Sequence, residues 1–206
     1  MSGEREPAVY ATARGARARA ASRLAWRTRR RRHERFFALT RLPPGARVVD
    51  VGCGSLGLRA FAPELDVTGV DVAASPHYPG PFVLADGSGR LPFEDREFDL
   101  AYCTSVIEHV EPARRPEFAA ELRRVARGWY VQTPAWSFPI EPHALLPAAH
   151  WLPRRIRQPY WTLGVAGEWE DIPLLRRAEF EDLFGPAFAE RLGPFVKSWI
   201  AVRPPE

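Results

Sequence analysis

Lysine is almost missing from this chain: Lys197 is the only one, and every other basic side chain except the histidines is arginine. That bias assigns no chemistry by itself. Cysteine is nearly as scarce. Cys53 and Cys103 stand in apolar, strand-like runs, with no C-x-x-C and no His/Cys ligand spacing near them, which excludes a disulfide framework and the usual kind of zinc site. No apolar run approaches the ~18 residues that a membrane span requires. The N-terminus is studded with arginine, lacks the apolar core of a signal peptide, and is poor in serine for a transit peptide. A protein of the reducing cytoplasm, without a membrane span, is the expectation.

What is present is unevenly spread. The formal charge is +4, yet residues 1–41 hold twelve arginines against Glu4, Glu6 and Glu34, a balance of +9 that leaves −5 on the remainder. At 206 residues the chain suits one α/β domain with attachments. Residues 8–40 contain no proline, one glycine and many Ala, Leu and Arg. They favour a helix, with Ala20, Leu24, Trp26, Phe36 and Phe37 as an apolar side. The chain therefore divides into an Arg-rich helical arm or lid, 1–41, and a main domain, 42–206. The arm's charge suits a solvated helix face or an anionic partner. The arm carries no RNA-binding motif, so nucleic acid is not favoured.

The "LPPGA" of 42–46 ends the arm. Strand-like runs then recur at 47–51, 67–71, 82–85, 98–103 and 128–133, with spacers that read as a short helix at 55–62 and a longer one at 112–127. In the longer one Phe118, Leu122 and Val125 share a face. Residues 134–161 are rich in Pro, Trp and His without a long period, and an insertion of loops and short helices is expected at about 134–173. The end, "RRAEFEDLFG", "FAERLG" and "KSWIAVR", reads as a helix and two strands joined at Gly193-Pro194. Such alternation predicts an α/β, Rossmann-like, seven-stranded and mostly parallel sheet, with helices on both faces and a C-terminal antiparallel hairpin.

The stretch "VVDVGCGSLGL" at 48–58 carries G-x-G-x-x-G at Gly52, Gly54 and Gly57. Alone this is a weak signal for a dinucleotide, whose pyrophosphate would sit on the following helix N-terminus. Asp50 argues otherwise: a carboxylate inside that strand is costly unless backbone N–H groups or a cationic ligand satisfy it. A zwitterionic or positive ligand fits better than a diphosphate. Three further pieces fall at strand ends, where open α/β sheets bind ligands. Asp71 ends "VTGVD" and suits the two hydroxyls of a ribose; Asp86-Gly87 ends "FVLADG" and suits an exocyclic amine and the space of a base; Cys103-Thr104 ends the next strand.

Together these residues resemble the class I S-adenosylmethionine-dependent methyltransferases, particularly the small-molecule type similar to methyltransferase domain family 11. That family has D-x-G-C-G, an acidic residue ending the second strand, D-G or D-A after the third, and "LPF…FD" before the fourth. The likeness covers residues 42–133 and, more loosely, the final hairpin. It implies S-adenosyl-L-methionine as cofactor. It also implies Asp50, Gly52 and Gly54 around the methionine part, Asp71 with Val72 at the ribose, Asp86 and Gly87 at the adenine, and Cys103 and Thr104 near the sulfur. The family usually has glycine where Leu56 stands, so the turn at Gly57 departs from its pattern. On the residues alone a nicotinamide-dependent oxidoreductase and a non-catalytic cofactor- or RNA-binding module stay open.

Methyl transfer to a hydroxyl needs an aligned nucleophile and a place for its proton. The segment "TPAWSFPIEPHALLPAAHWLP" after residue 132 brings Glu141, His143 and His150 among Trp136, Phe138, Leu145, Leu146 and Trp151. Its pattern is similar to that of a subgroup of bacterial methyltransferases. An aromatic pocket with histidine suits a small or lipid-like hydroxyl acceptor, with His143 as the first choice for base and His150 as the second. A metal on Glu141, His143 and His150 has suitable ligand types but no known spacing, so none is assigned. Glu108-His109 reads equally as a brace for the next helix or as a ligand contact.

Overall fold

A computed structural model describes residues 32–166 and 169–205, so most of the arm predicted at 1–41 lies outside the described residues. What is described of it is a helix, α1 (32–40). The Thr40 hydroxyl caps it by donating to the Phe36 carbonyl at 2.8 Å. Arg41 at φ 52, followed by Pro43-Pro44, ends it.

Strands follow where apolar runs predicted them: β1 (Arg47–Val51), β2 (Asp66–Asp71), β3 (Phe82–Leu84), β4 (Phe98–Thr104) and β5 (Ala126–Pro134). A 3₁₀ turn at Pro112–Arg114 leads into α2 (Arg115–Val125). Beyond β5 come a small hairpin of β6 (Ile140–Glu141) and β7 (Leu146–Pro147), a 3₁₀ turn at Ala149–Trp151, and α3 (Arg154–Trp161). The chain closes with α4 (Arg177–Phe184), β8 (Ala187–Leu192) and β9 (Phe195–Arg203).

The sheet order is β3-β2-β1-β4-β5-β9-β8. The first five strands run parallel, while β9 pairs antiparallel with both β5 and β8. Order reverses between β1 and β4, and the crevice outside their C-terminal ends is where such sheets take ligands.

The period-2 alternation of the strands divides the core. Val49, Val51, Ala101 and Cys103 face α2 and α4, packing with Phe118, Leu122, Phe180 and Phe184. Val48, Leu100, Tyr102 and Tyr130 face the other way, around the fully buried Phe36 of α1. The Phe36 ring stands edge-on to Tyr102 at 5.2 Å and to Tyr130 at 5.4 Å. Burying such a ring contributes about 1.5–3 kcal/mol, so α1 is part of the core. Buried Glu190 of β8 adds a polar tie, accepting from Arg35 at 2.7 Å and Gln132 at 2.8 Å.

One expected element does not form. Residues 55–62 are a run of turns in place of a helix. Gly57 sits at φ 56, outside the right-handed helical region, and Pro63 bars a helix from continuing six residues later. Only isolated bonds remain, such as Ala62 N–H to the Leu58 carbonyl at 2.9 Å.

Candidate active site

A cleft of about 470 Å³ opens at the crevice between β1, β2, β3 and β4, with Gly52, Asp71, Val72, Asp86, Gly87 and Val106 in its wall. Its glycine turn is sterically determined. At Gly52, φ is 75 and an added Cβ would lie 2.1 Å from Val106 Cγ2, so no other residue fits. Gly87 is similarly confined: a Cβ there would meet Val51 Cγ1 at 2.8 Å. Asp71 draws the turn inward, its Oδ2 accepting from the Gly54 N–H at 2.9 Å and its Oδ1 from the Ala73 N–H at 3.1 Å. Asp86 accepts the Ser88 hydroxyl at 2.7 Å and the Ser88 N–H at 2.8 Å, and Arg114 stands 3.7 Å away. The two bonds from Ser88, with the guanidinium adding, hold the Asp86 carboxyl below its usual range.

Asp50 acts from behind the loop. It is buried, does not line the cleft, and takes the Leu58 N–H at 2.6 Å. Gly57 is pressed against it, since a Cβ there would lie 2.4 Å from Asp50 Oδ2. The departure from the family pattern at Leu56-Gly57 thus places the glycine where the carboxylate needs room. Burial pushes the Asp50 carboxyl up to about 7, against the lowering effect of the Leu58 N–H.

At the other end of the cleft, His109 continues the wall onto a cluster the insertion completes. The His109 and His143 rings meet edge-on at 5.0 Å. His143 Nδ1 lies 2.7 Å from Glu141 Oε1, while the other Glu141 oxygen accepts the His143 N–H at 2.9 Å. Glu141 is buried, and although burial raises it, bonds from His143 and Ala144 bring its carboxyl below the usual range. A carboxylate on Nδ1 fixes the proton there and presents Nε2 as the open nitrogen. Beside them Glu108 is fully buried, accepts the Thr133 hydroxyl at 3.0 Å, and is raised by that burial. Buried Arg115 secures this corner: its Nε donates to the Val110 carbonyl at 3.1 Å, and its Nη2 to the carbonyls of Glu108 at 3.4 Å and Pro173 at 2.6 Å.

The structure gathers Gly52, Asp71, Val72, Asp86 and Gly87 in the cleft wall, with Gly54 bonded to Asp71 beside it. Cys103 and Thr104 are outside that wall. Cys103 alternates into the core, fully buried, and Thr104 turns to the α1 face, where the Arg32 guanidinium donates to it at 3.4 Å. Their place is taken by Ser105, at φ 58, and Val106. Burial raises both thiols, Cys53 to about 12, so neither is a nucleophile. His150 is separate from His143, with its Nε2 donating to the Trp136 carbonyl at 2.9 Å, and burial lowers it. Glu141, His143 and His150 therefore do not form a joint ligand set among the described residues. Arg114, Glu111 and Phe118 also line the cleft. None had a motif to mark it as part of a ligand site.

The charge of the wall discriminates between ligands. Asp71, Asp86 and Glu111 face Arg114 and His109, a balance that opposes a diphosphate and suits a sulfonium with an ammonium. The donor and acceptor set thus fits S-adenosylmethionine. No helix among the described residues is long and apolar enough to cross a membrane.

Residues 49–128 match the model of the Methyltransferase domain family. No curated protein matches the chain in sequence. Among solved structures, a protein of Pyrococcus horikoshii is similar at 18% identity and TM-score 0.62, over 88% of this chain and 91% of that one. A TehB-like S-adenosylmethionine-dependent methyltransferase of Corynebacterium glutamicum aligns at 15% identity and TM-score 0.51, over 93% and 100%. A methyltransferase of the same cofactor class from Methanosarcina mazei aligns at 19% and 0.50, over 80% and 95%. These likenesses show the fold. With the domain match and the fit of the cleft, residues 49–128 form a methyltransferase domain, and the chain carries the fold of the S-adenosylmethionine-dependent methyltransferases.

Proposed function

We propose that the enzyme methylates a hydroxyl of a small or lipid-like acceptor, with His143 as the group that handles the acceptor's proton. The observation that carries this reading is the imidazole of His143, tied through Nδ1 to buried Glu141 and set against His109 at the end of the cleft. When bound, the cofactor supplies a methyl group on a positively charged sulfur, which leaves with its bonding pair as an acceptor oxygen attacks the carbon. What the chain must add is alignment and proton removal. Glu141 holds the tautomer in which His143 Nε2 is unprotonated, and that nitrogen receives the hydroxyl proton. Glu141 then stabilises the imidazolium that results.

The proposed divisions follow from this. Residues 134–173 form the acceptor side. Its apolar cluster of Ala144, Leu146, Ala149 and Trp161, with Trp169 packed on it, supports an acceptor with an apolar body. Both cysteines are free and buried, in keeping with a cytoplasmic enzyme.

Incubation of the enzyme with a panel of hydroxylated small molecules and a cofactor carrying a ¹³C-labelled methyl group tests the reading. A methoxy carbon in the product spectrum is expected. Label found on nitrogen or carbon overturns it.

A further inference from the structure

Three ligand-type side chains converge at the corner. One ligand atom from each of Glu108, His109 and His143 lies within 4.8 Å of the others, and among the described residues this is the one such set of three. Glu108 adds an observation of its own. Its side chain is fully buried, Oε2 takes the Thr133 hydroxyl, and Oε1 has no hydrogen-bond partner. A buried carboxylate oxygen left bare is unfavourable unless a cation or a proton donor meets it. Each imidazole is also backed by a carboxylate at Nδ1, Glu141 at 2.7 Å on His143 and Glu170 at 3.4 Å on His109. Metal-ligating histidines are usually held this way, with the second nitrogen left free to donate its lone pair.

We propose that Glu108, His109 and His143 bind a divalent transition-metal ion. Two imidazoles and one carboxylate suit zinc, manganese or iron, and three protein ligands leave positions open for oxygen. The site sits where His109 closes the cofactor cleft, so an acceptor hydroxyl entering an open position lies beside the cofactor end. In its role, though not in its binding, the ion rests on the hydroxyl-acceptor reading. An oxygen on a divalent ion loses its proton near neutral pH. That proton passes to water, the carbon–oxygen bond forms as the carbon–sulfur bond breaks, and in the metal-loaded enzyme the ion takes over from His143 the handling of the acceptor's proton.

The test uses the full chain, stripped with a chelator and titrated with Co²⁺ without cofactor or acceptor. Saturable binding of a single ion per chain is expected, with a visible ligand-field spectrum that Zn²⁺ abolishes by competition. Glu108→Gln and His143→Ala each weaken Co²⁺ binding by about tenfold or more. Glu141→Gln, which removes none of the three ligands, weakens it about 10–100-fold by freeing the His143 imidazole that Glu141 backs. His150→Ala leaves it unchanged. S-adenosylhomocysteine binding by the same variants reports that the fold is intact. Absence of saturable binding, or equal Co²⁺ affinity in the folded Glu108→Gln and His143→Ala proteins, overturns the proposal. Neither result touches the hydroxyl-acceptor reading, which the labelled-product experiment decides separately.

Discussion

The two ends of the cleft are built in different ways. The cofactor end is made of backbone: glycines at positive φ, N–H groups turned onto Asp71 and Asp86, and a loop held from behind by Asp50. The other end, to which the proposed function assigns the acceptor, is made of side chains brought together from β4's exit turn and from the insertion, with His109 and His143 in contact. A backbone cradle tolerates little change in its residues but serves any acceptor. A side-chain corner selects a substrate and can be altered without disturbing the cradle. The difference implies that binding and turnover separate under mutation.

The largest effect is expected at the acceptor end. In the metal-free enzyme, His143→Ala should lower kcat by about 10²–10⁴-fold, the scale of general-base loss, while calorimetry shows unchanged affinity for S-adenosylhomocysteine. His143→Gln should fail to restore the rate, because an amide cannot take up the proton. If cofactor affinity falls together with kcat, the two ends are not separate. Asp71→Ala probes the other end. It removes the partner of the Gly54 N–H and of the ligand's hydroxyls, so affinity for S-adenosylhomocysteine should weaken by about 1.5–3 kcal/mol. At saturating cofactor the turnover should recover, and an unchanged dissociation constant would remove Asp71 from the ribose role.

A third measurement sharpens the contrast by asking what Asp50 does out of the ligand's sight. Its folded-state pKa is raised to about 7 by burial, so the folded chain holds this proton more tightly than the unfolded chain. The stabilisation is present below the ordinary carboxylate range and is lost as pH rises to about 7. Asp50→Asn keeps an acceptor for Leu58 and removes the titration. The melting temperature of the wild type should therefore fall relative to the variant between about pH 4 and 7; a constant difference would contradict the buried, protonated state. The smallest effect is expected at His150. Its removal should cost about 0.5–1.5 kcal/mol of stability, one neutral hydrogen bond to Trp136, with kcat unchanged.

The cofactor end was the more legible in the sequence because its determinants are local. Apolar runs ending in Asp71 and Asp86 announce both the strand and the residues that line the cleft beyond it. Where local reading failed, the cause is geometric. Cys103 and Thr104 were one or two positions short of the cleft: alternation along β4 sends one side chain into the core and the other to α1, and the wall is made by Ser105 and Val106 beyond the strand. The helix at 55–62 was read from composition, whereas the demands of the Asp50 carboxylate put Gly57 at positive φ. The meeting of Glu108-His109 with His143 had no local signal, because the two segments are joined only through the tertiary fold. His143 was singled out in the sequence as an acceptor-side residue to examine, but His109, whose ring it meets, was not paired with it.

Arg115 has a consequence for how this enzyme can change over generations. Its grip on the insertion is a bond to the Pro173 carbonyl, and its grip on the exit turn of β4 is a bond to the Glu108 carbonyl. Both are main-chain atoms, present whatever side chain the position carries. The guanidinium's planar fork keeps the two carbonyls in register. Apart from Glu141 and His143, the stretch between β5 and Pro173 is thereby free to drift in composition while its far end stays moored, so new acceptors can be tried by lineages that never have to rebuild the chemistry.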